Sequence, residues 1–190
     1  MSFNNQEQLS NTPKRLKYLK DFLSRLFWKG DRNAEKEITR EELTEAPEDI
    51  ENLNDQFNEL IKTLIALSSA ANRQRAIYGE APPGDEMAED FNSYFTRNKS
   101  LLLDKGLIDQ EAFDLLGTLA RFMDVKSAEN DLEFWDDLEQ HKDWEMIREL
   151  ARLCLVKLGK EKYRLQVEHQ YRRDDNGRVT SQVTKTELLK

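Results

Sequence analysis

Two histidines and one cysteine are the rarest reactive side chains of this 190-residue chain. His141 follows Asp137 by four residues and Glu133 by eight, so one helix face could present all three as metal ligands. Metal sites in helical bundles use such spacing, but they complete it with Glu-x-x-His motifs from other helices. No second helix offers a matching motif. The pattern therefore favours a solvated acidic helix face.

The other two reactive groups are predicted to be structural. His169 lies on the apolar face of a predicted strand pair, which is typical of a packed or capped histidine. Cys154 falls within the apolar stripe of a helix, where burial raises the thiol pKa and makes the group inert. A single cysteine excludes an internal disulfide and a multi-cysteine zinc site. The chain also lacks a glycine-rich phosphate loop, so we predict no catalytic, cofactor or metal site.

Residues 14–29 form the clearest candidate binding element, a basic amphipathic helix. Pro13 would begin this helix and Gly30 would end it. The apolar side chains lie on one arc, and most of the basic ones line the remainder. The candidate membrane- or partner-binding residues are Lys14, Arg15, Leu16, Lys17, Leu19, Lys20, Phe22, Leu23, Arg25, Leu26, Phe27 and Trp28. The pattern suits an anionic membrane surface, a groove of a partner or the protein's own core, and these three interpretations stay open.

Opposite charges are segregated along the chain, whose net charge is −8. Residues 14–29 hold six Lys or Arg and one Asp, whereas residues 31–156 hold 14 basic and 30 acidic residues. Residues 157–178 hold seven basic and four acidic residues. An acidic body repels nucleic acid and attracts basic proteins. Arginines near Tyr163 and Tyr171 could hold a single strand, but Glu168 and its acidic neighbours dilute their charge, so nucleic acid is not the expected partner.

The predicted fold class is mainly α, a helical bundle with a long heptad-patterned helix and a C-terminal β-hairpin. We divide the chain into five parts. These are a disordered tail at residues 1–13, the basic amphipathic helix at 14–29, an acidic linker at 30–47, the bundle domain at 48–160 and a hairpin appendage at 161–190.

The spine of the predicted bundle is one helix over residues 48–78. Its heptad seam comprises Ile50, Leu53, Phe57, Leu60, Leu64, Leu67 and Ala71, with Pro47 as its start and Gly79 as its stop. Further helices are predicted over residues 85–104 (capped by Asp85), 109–125 and 142–158, with a short segment around Phe134. Trp135 and Trp144 are predicted to be core anchors.

The last thirty residues change to a period of two, which predicts a β-hairpin. Tyr163, Leu165, Val167, His169 and Tyr171 would share one face. We predict a type I turn at Asp174 to Gly177, with Gly177 in the left-handed position of a bulge. This turn would place Val179, Ser181 and Val183 on the same face as Tyr171.

These patterns favour a non-enzymatic protein-binding or adaptor protein. It would act through its acidic helical body and basic amphipathic N-terminal helix, with an inhibitor or immunity-type protein as one specific form. The alternatives are a peripheral membrane protein anchored by residues 14–29, and a metal-dependent enzyme whose site gathers dispersed carboxylates. The expected partner is a basic protein, and an anionic membrane or a second copy of the chain also fits. No apolar run is long enough to cross a bilayer and residues 1–10 lack a secretory pattern, so we expect a cytoplasmic protein, peripheral to membranes in the second alternative.

Overall fold

The computed structural model describes residues 47–128 and 132–190. The fold class predicted from the sequence is confirmed, because these residues form mainly helices followed by a two-stranded antiparallel hairpin. Residues Glu45–Lys190 cluster as one compact unit, which includes the hairpin. The predicted tail and basic helix, and all but the last residue of the predicted linker, lie outside the described residues.

Helix α1 spans Pro47–Ser68 and begins at the predicted proline. Its heptad seam faces the core, since Leu60, Leu64 and Leu67 are completely buried. The prediction of one continuous helix to residue 78 was wrong, because α1 ends at Ser68 and a second helix, α2, spans Ala71–Tyr78. The hydroxyls of Ser68 and Ser69 both donate to the carbonyl of Ile65, at 3.0 and 2.7 Å, in competition with the helical backbone.

The predicted helix over residues 85–104 is also divided. Helix α3 spans Pro83–Phe91 and begins two residues before the expected cap, a π-helical turn follows at Asn92–Thr96, and α4 spans Lys99–Asp104. Phe91 and Phe95, four residues apart, lie side by side in the core at this turn, with ring centroids 5.4 Å apart. Gly84 is required at the start of α3, since a Cβ there would lie 2.7 Å from the carbonyl oxygen of Trp135.

Three helices complete the body. Helix α5 spans Gln110–Ala128, α6 spans Leu132–Asp136 and α7 spans Lys142–Lys157. Asp109 caps α5 as predicted, because its Oδ1 accepts from the Ala112 N–H at 2.8 Å. Helix α7 packs along both α1 and α5, and Trp144, Ile147, Leu150 and Cys154 are completely buried on it. Trp144 is therefore a core anchor, as predicted, whereas Trp135 is only half-buried.

The hairpin consists of β1, Arg164–Arg173, and β2, Val179–Leu189. The predicted turn is confirmed, since the Gly177 N–H donates to the Asp174 carbonyl at 2.9 Å and Gly177 has a φ of +78°. The predicted facing of β2 was right for Val179, which pairs with Arg173, and wrong for Ser181 and Val183. A register shift between Arg172 and Arg173 pairs Tyr171 with Gln182, so Val183 turns to the opposite face and is 55% exposed.

Candidate functional site

Both strands of the hairpin pack against α1, and side-chain hydrogen bonds join the hairpin to α2 and to the loop after it. Arg73 Nη2 donates to the Leu165 carbonyl at 2.6 Å. Gln182 contacts the backbone twice, donating from Nε2 to the Tyr78 carbonyl at 2.9 Å and accepting at Oε1 from the Glu80 N–H at 2.9 Å. Leu165 is the one buried side chain of the strands in the described chain. These hydrogen bonds therefore contribute to holding the hairpin, because few of its side chains are buried.

Gly79 makes this attachment possible. Its φ of +66° lies in the left-handed region that side chains rarely adopt. A Cβ at this position would also lie 2.6 Å from Gln182 Oε1. The absence of a side chain at Gly79 therefore leaves the space that the Gln182 side chain occupies when it bonds to the backbone.

His169 of β1 also contacts α2. Its Nε2 is 2.8 Å from the Ala76 carbonyl oxygen, and its Nδ1 is 2.9 Å from Thr184 Oγ1. A carbonyl only accepts, so Nε2 carries the proton and, in the neutral ring, Nδ1 accepts from the Thr184 hydroxyl. The histidine is a capped structural residue, as predicted.

A cleft of about 250 Å³ opens where the hairpin meets α1, α2 and α3, and we call it the hairpin cleft. The two strands contribute apolar, amide and hydroxyl side chains, and the helices contribute acidic side chains, one lysine, one tyrosine and small residues. The lining residues are Glu59, Lys62, Thr63, Ala66, Ile77, Tyr78, Ala81, Glu86, Asp90, Leu165, Gln182, Thr184 and Thr186. Polar groups from four distant parts of the chain therefore meet around one small space.

A tyrosine and a carboxylate interact at this cleft. Tyr78 Oη donates to Asp90 Oδ2 at 2.9 Å. Burial raises the pKa of the Asp90 carboxyl, the hydrogen bond from Tyr78 partly opposes this shift, and the charges of Glu86, Glu59 and Glu89 raise the pKa further. Burial and the neighbouring Asp90 raise the pKa of the Tyr78 phenol. Negative charge is thus concentrated between α1 and α3.

The carboxylates of α3 contrast with those carboxylates elsewhere in the body that form ion pairs. On α7 and α5, Asp143 pairs with Lys126 at 2.7 Å, and Lys157 bridges Asp109 and Glu111. Helix α3 carries Asp85, Glu86, Glu89 and Asp90, and none of the four forms an ion pair with a residue of the described ranges. The helix dipole favours Asp85 and Glu86 in the first turn, but it does not favour Glu89 and Asp90 in the last.

We expect Asp90→Asn to raise the free energy of unfolding at pH 7. The raised pKa means that the folded state prefers the protonated carboxyl, so this contribution to stability is present below the ordinary value of 3.8 and is lost as pH rises through the folded pKa. An asparagine is neutral at every pH and can still accept from Tyr78. The gain should disappear when urea unfolding is repeated at pH 3. Asp124→Asn, on an exposed position of α5, is the matched control, and an equal gain in it would contradict this account.

The site residues predicted on the basic helix, Lys14 to Trp28, lie outside the described residues. The proposed helix face of Glu133, Asp137 and His141 was wrong, because α6 ends at Asp136 and His141 is the N-cap of α7, where Nδ1 accepts from the Asp143 N–H at 3.3 Å. Within residues 47–128 and 132–190 no group of three or more His, Cys, Asp or Glu side chains is placed to hold a metal ion.

Cys154 is buried as predicted, and burial raises its thiol pKa to about 12.

The hairpin cleft was missed by sequence reasoning. The only local signal for it was the density of acidic residues in 85–90, and the residues opposite them come from positions up to 100 residues away.

Over the described parts of the chain, no helix is long and apolar enough to cross a membrane. Comparisons with family models, curated proteins and solved structures found no match for this chain.

Proposed function

We propose that this chain is a non-enzymatic protein-binding protein whose acidic helical body contacts a basic partner. The observation that carries the proposal is the concentration of four carboxylates on the nine-residue helix α3, none of which forms an ion pair with a residue that the structure describes. Unneutralised charges concentrated on one element repel one another and cost stability in the free protein. A basic partner would relieve this repulsion and would be attracted over the range of a Debye length, about 8 Å at physiological salt.

The position of these carboxylates supports the proposal. Asp85 and Glu89 are exposed, while Glu86 and Asp90 are half-buried at the hairpin cleft. A partner contacting α3 would therefore meet charge at the surface and a recess beside it. Complementary charge of this kind mainly raises the association rate and selects the partner. The basic residues of 14–29 supply a second contact region of opposite sign in the proposal, on the strength of the sequence pattern.

The test is recovery of partners from the native cell by the immobilised full chain. The wild type should recover basic proteins in a salt-sensitive manner. The double variant Asp85→Asn and Glu89→Gln should lose most of them, because it removes two exposed charges from α3. The matched control is Asp124→Asn with Glu161→Gln, which removes the same net charge from other exposed positions. If both double variants recover the same proteins as the wild type, the acidic surface of α3 is not the binding surface.

A further inference from the structure

We propose that the hairpin cleft binds an alkylammonium group, the side-chain amine of a lysine on the basic partner. This inference rests on the proposed function and names the chemical group that the acidic body recognises. Its argument is independent of the exposed charges on α3, since it depends on the hydrogen-bonding groups inside the cleft.

The side-chain donors around the cleft are mostly used within the protein. Tyr78 donates to Asp90 at 2.9 Å and Thr63 donates to the Glu59 carbonyl at 3.0 Å. Gln182 uses its amide protons on the Tyr78 carbonyl and on Thr184 Oγ1. Thr184 in turn donates to His169, as the tautomer requires. The remaining donors are Lys62, which is held by Glu59 at 2.6 Å, and the Thr186 hydroxyl.

The acceptors are in excess. Asp90 uses Oδ2 for Tyr78, and its Oδ1 accepts no hydrogen bond from the described chain. Both carboxylate oxygens of Glu86 are equally free of partners among the described residues. The oxygens of Tyr78 and Thr63 keep lone pairs after their protons are donated. A positively charged ligand with only hydrogen-bond donors would pair with these free acceptors better than a neutral or anionic ligand would.

The size of the cleft selects among cations. Its volume of about 250 Å³ is below the roughly 300–1,000 Å³ of pockets that hold drug-sized ligands, so it suits a small chemical group. The free acceptor atoms come from α1, α2 and α3, and they are not simply the two oxygens of a single carboxylate. An ammonium with three rotatable donors fits scattered acceptors, whereas the planar guanidinium of arginine requires a bidentate arrangement. Alanine and leucine side chains of the lining would contact the methylene stem.

The experiment titrates the purified, ¹⁵N-labelled full chain with n-butylammonium and follows amide chemical shifts. We expect saturable shifts confined to residues that line the cleft, including Thr63, Tyr78 and Gln182. The uncharged analogue n-butanol should produce none of them. Shifts spread over the acidic surface without saturation, or no shifts at all, would overturn the proposal.

Variants separate a specific site from general charge attraction. Asp90→Asn should weaken butylammonium binding about tenfold or more, since a hydrogen bond to a charged group contributes about that factor. Urea unfolding of the same variant at pH 7 shows whether it is folded under the conditions of the titration. Glu161→Gln removes one exposed charge outside the cleft and should bind as the wild type does. Equal affinities of these two variants would contradict the assignment.

Two peptides identify the source of the amine. A lysine-containing peptide should shift the same cleft residues and bind more tightly than butylammonium, and its acetyl-lysine form should not bind. A cleft that accepts butylammonium and rejects the lysine peptide would overturn the lysine assignment in favour of a free amine. Failure of the proposed function looks different, because recovery of basic proteins by α3 is measured with Asp85 and Glu89, which do not line the cleft.

Discussion

Trp144→Ala is expected to lower the free energy of unfolding by about 3–5 kcal/mol, the usual cost of removing a fully buried tryptophan. The side chain is completely buried. Its ring stacks on Phe134, with centroids 5.1 Å apart and planes 8° apart, and its Nε1–H donates to the Phe134 carbonyl. Stability of small domains is only about 5–15 kcal/mol, so this single change removes a large share of it.

Two further variants test whether burial and the indole hydrogen bond of Trp144 cause the expected loss of stability. Trp144→Phe keeps an aromatic ring on Phe134 but loses the indole N–H, and we expect an intermediate cost of about 1–3 kcal/mol. Val156→Ala, on the same helix at a position 59% exposed, should change stability by less than about 0.5 kcal/mol. Urea unfolding followed by far-UV circular dichroism measures all three without relying on tryptophan emission. A loss below about 1 kcal/mol for Trp144→Ala would show that Trp144 does not anchor the core.

Periodicity in the sequence predicted the helices whose faces are buried, since apolar burial is what creates the pattern. The seam of α1, the start of that helix at Pro47, and the whole of α7 were recovered on this basis. The turn of the hairpin was also recovered, because the left-handed position of Gly177 is a local requirement. These features depend on residues close to one another in the chain.

Two of the errors involve contacts between distant segments. The seam continues from α1 into α2, so no gap in the apolar pattern marks the break. The break is stabilised by nearby Gln74, which donates to the carbonyls of Ala66 and Leu67, and by distant Arg148, which donates to that of Ser69. The register shift in β2 likewise places Gln182 where Tyr78 and Glu80 can be reached.

The same reasoning explains why the hairpin cleft was not foreseen. Tyr78 and Asp90 are twelve residues apart, on two short helices whose relative orientation depends on the loop between them. Gln182 and Thr184 lie on β2, about 100 residues further along the chain than Tyr78. The sequence of a charge-dense helix such as α3 indicates a solvated surface, and its packing against α1 and α2 is not visible in the local pattern.

Arg148 provides the second large effect, and Arg148→Met is expected to cost about 2–5 kcal/mol. Only 6% of this arginine is exposed. Its Nε donates to the Ser69 carbonyl at 3.1 Å and its Nη2 donates to the Leu138 carbonyl. Methionine has similar length but no donors, so two carbonyl groups would lose a partner, and each such loss costs about 1–3 kcal/mol.

Arg152→Met is the matched control for this prediction. Arg152 lies one turn further along α7, and its side chain is 46% exposed and pairs with Glu149 at 2.7 Å. Exposed ion pairs contribute about 0–1 kcal/mol, so the control should unfold almost as the wild type does. Arg148→Lys keeps the charge but reaches only one carbonyl, and its stability should lie between the two. Equal stability of Arg148→Met and Arg152→Met in urea unfolding would show that the end of α1 does not depend on Arg148, and that the hydrogen bonds of Ser68, Ser69 and Gln74 maintain the break without it.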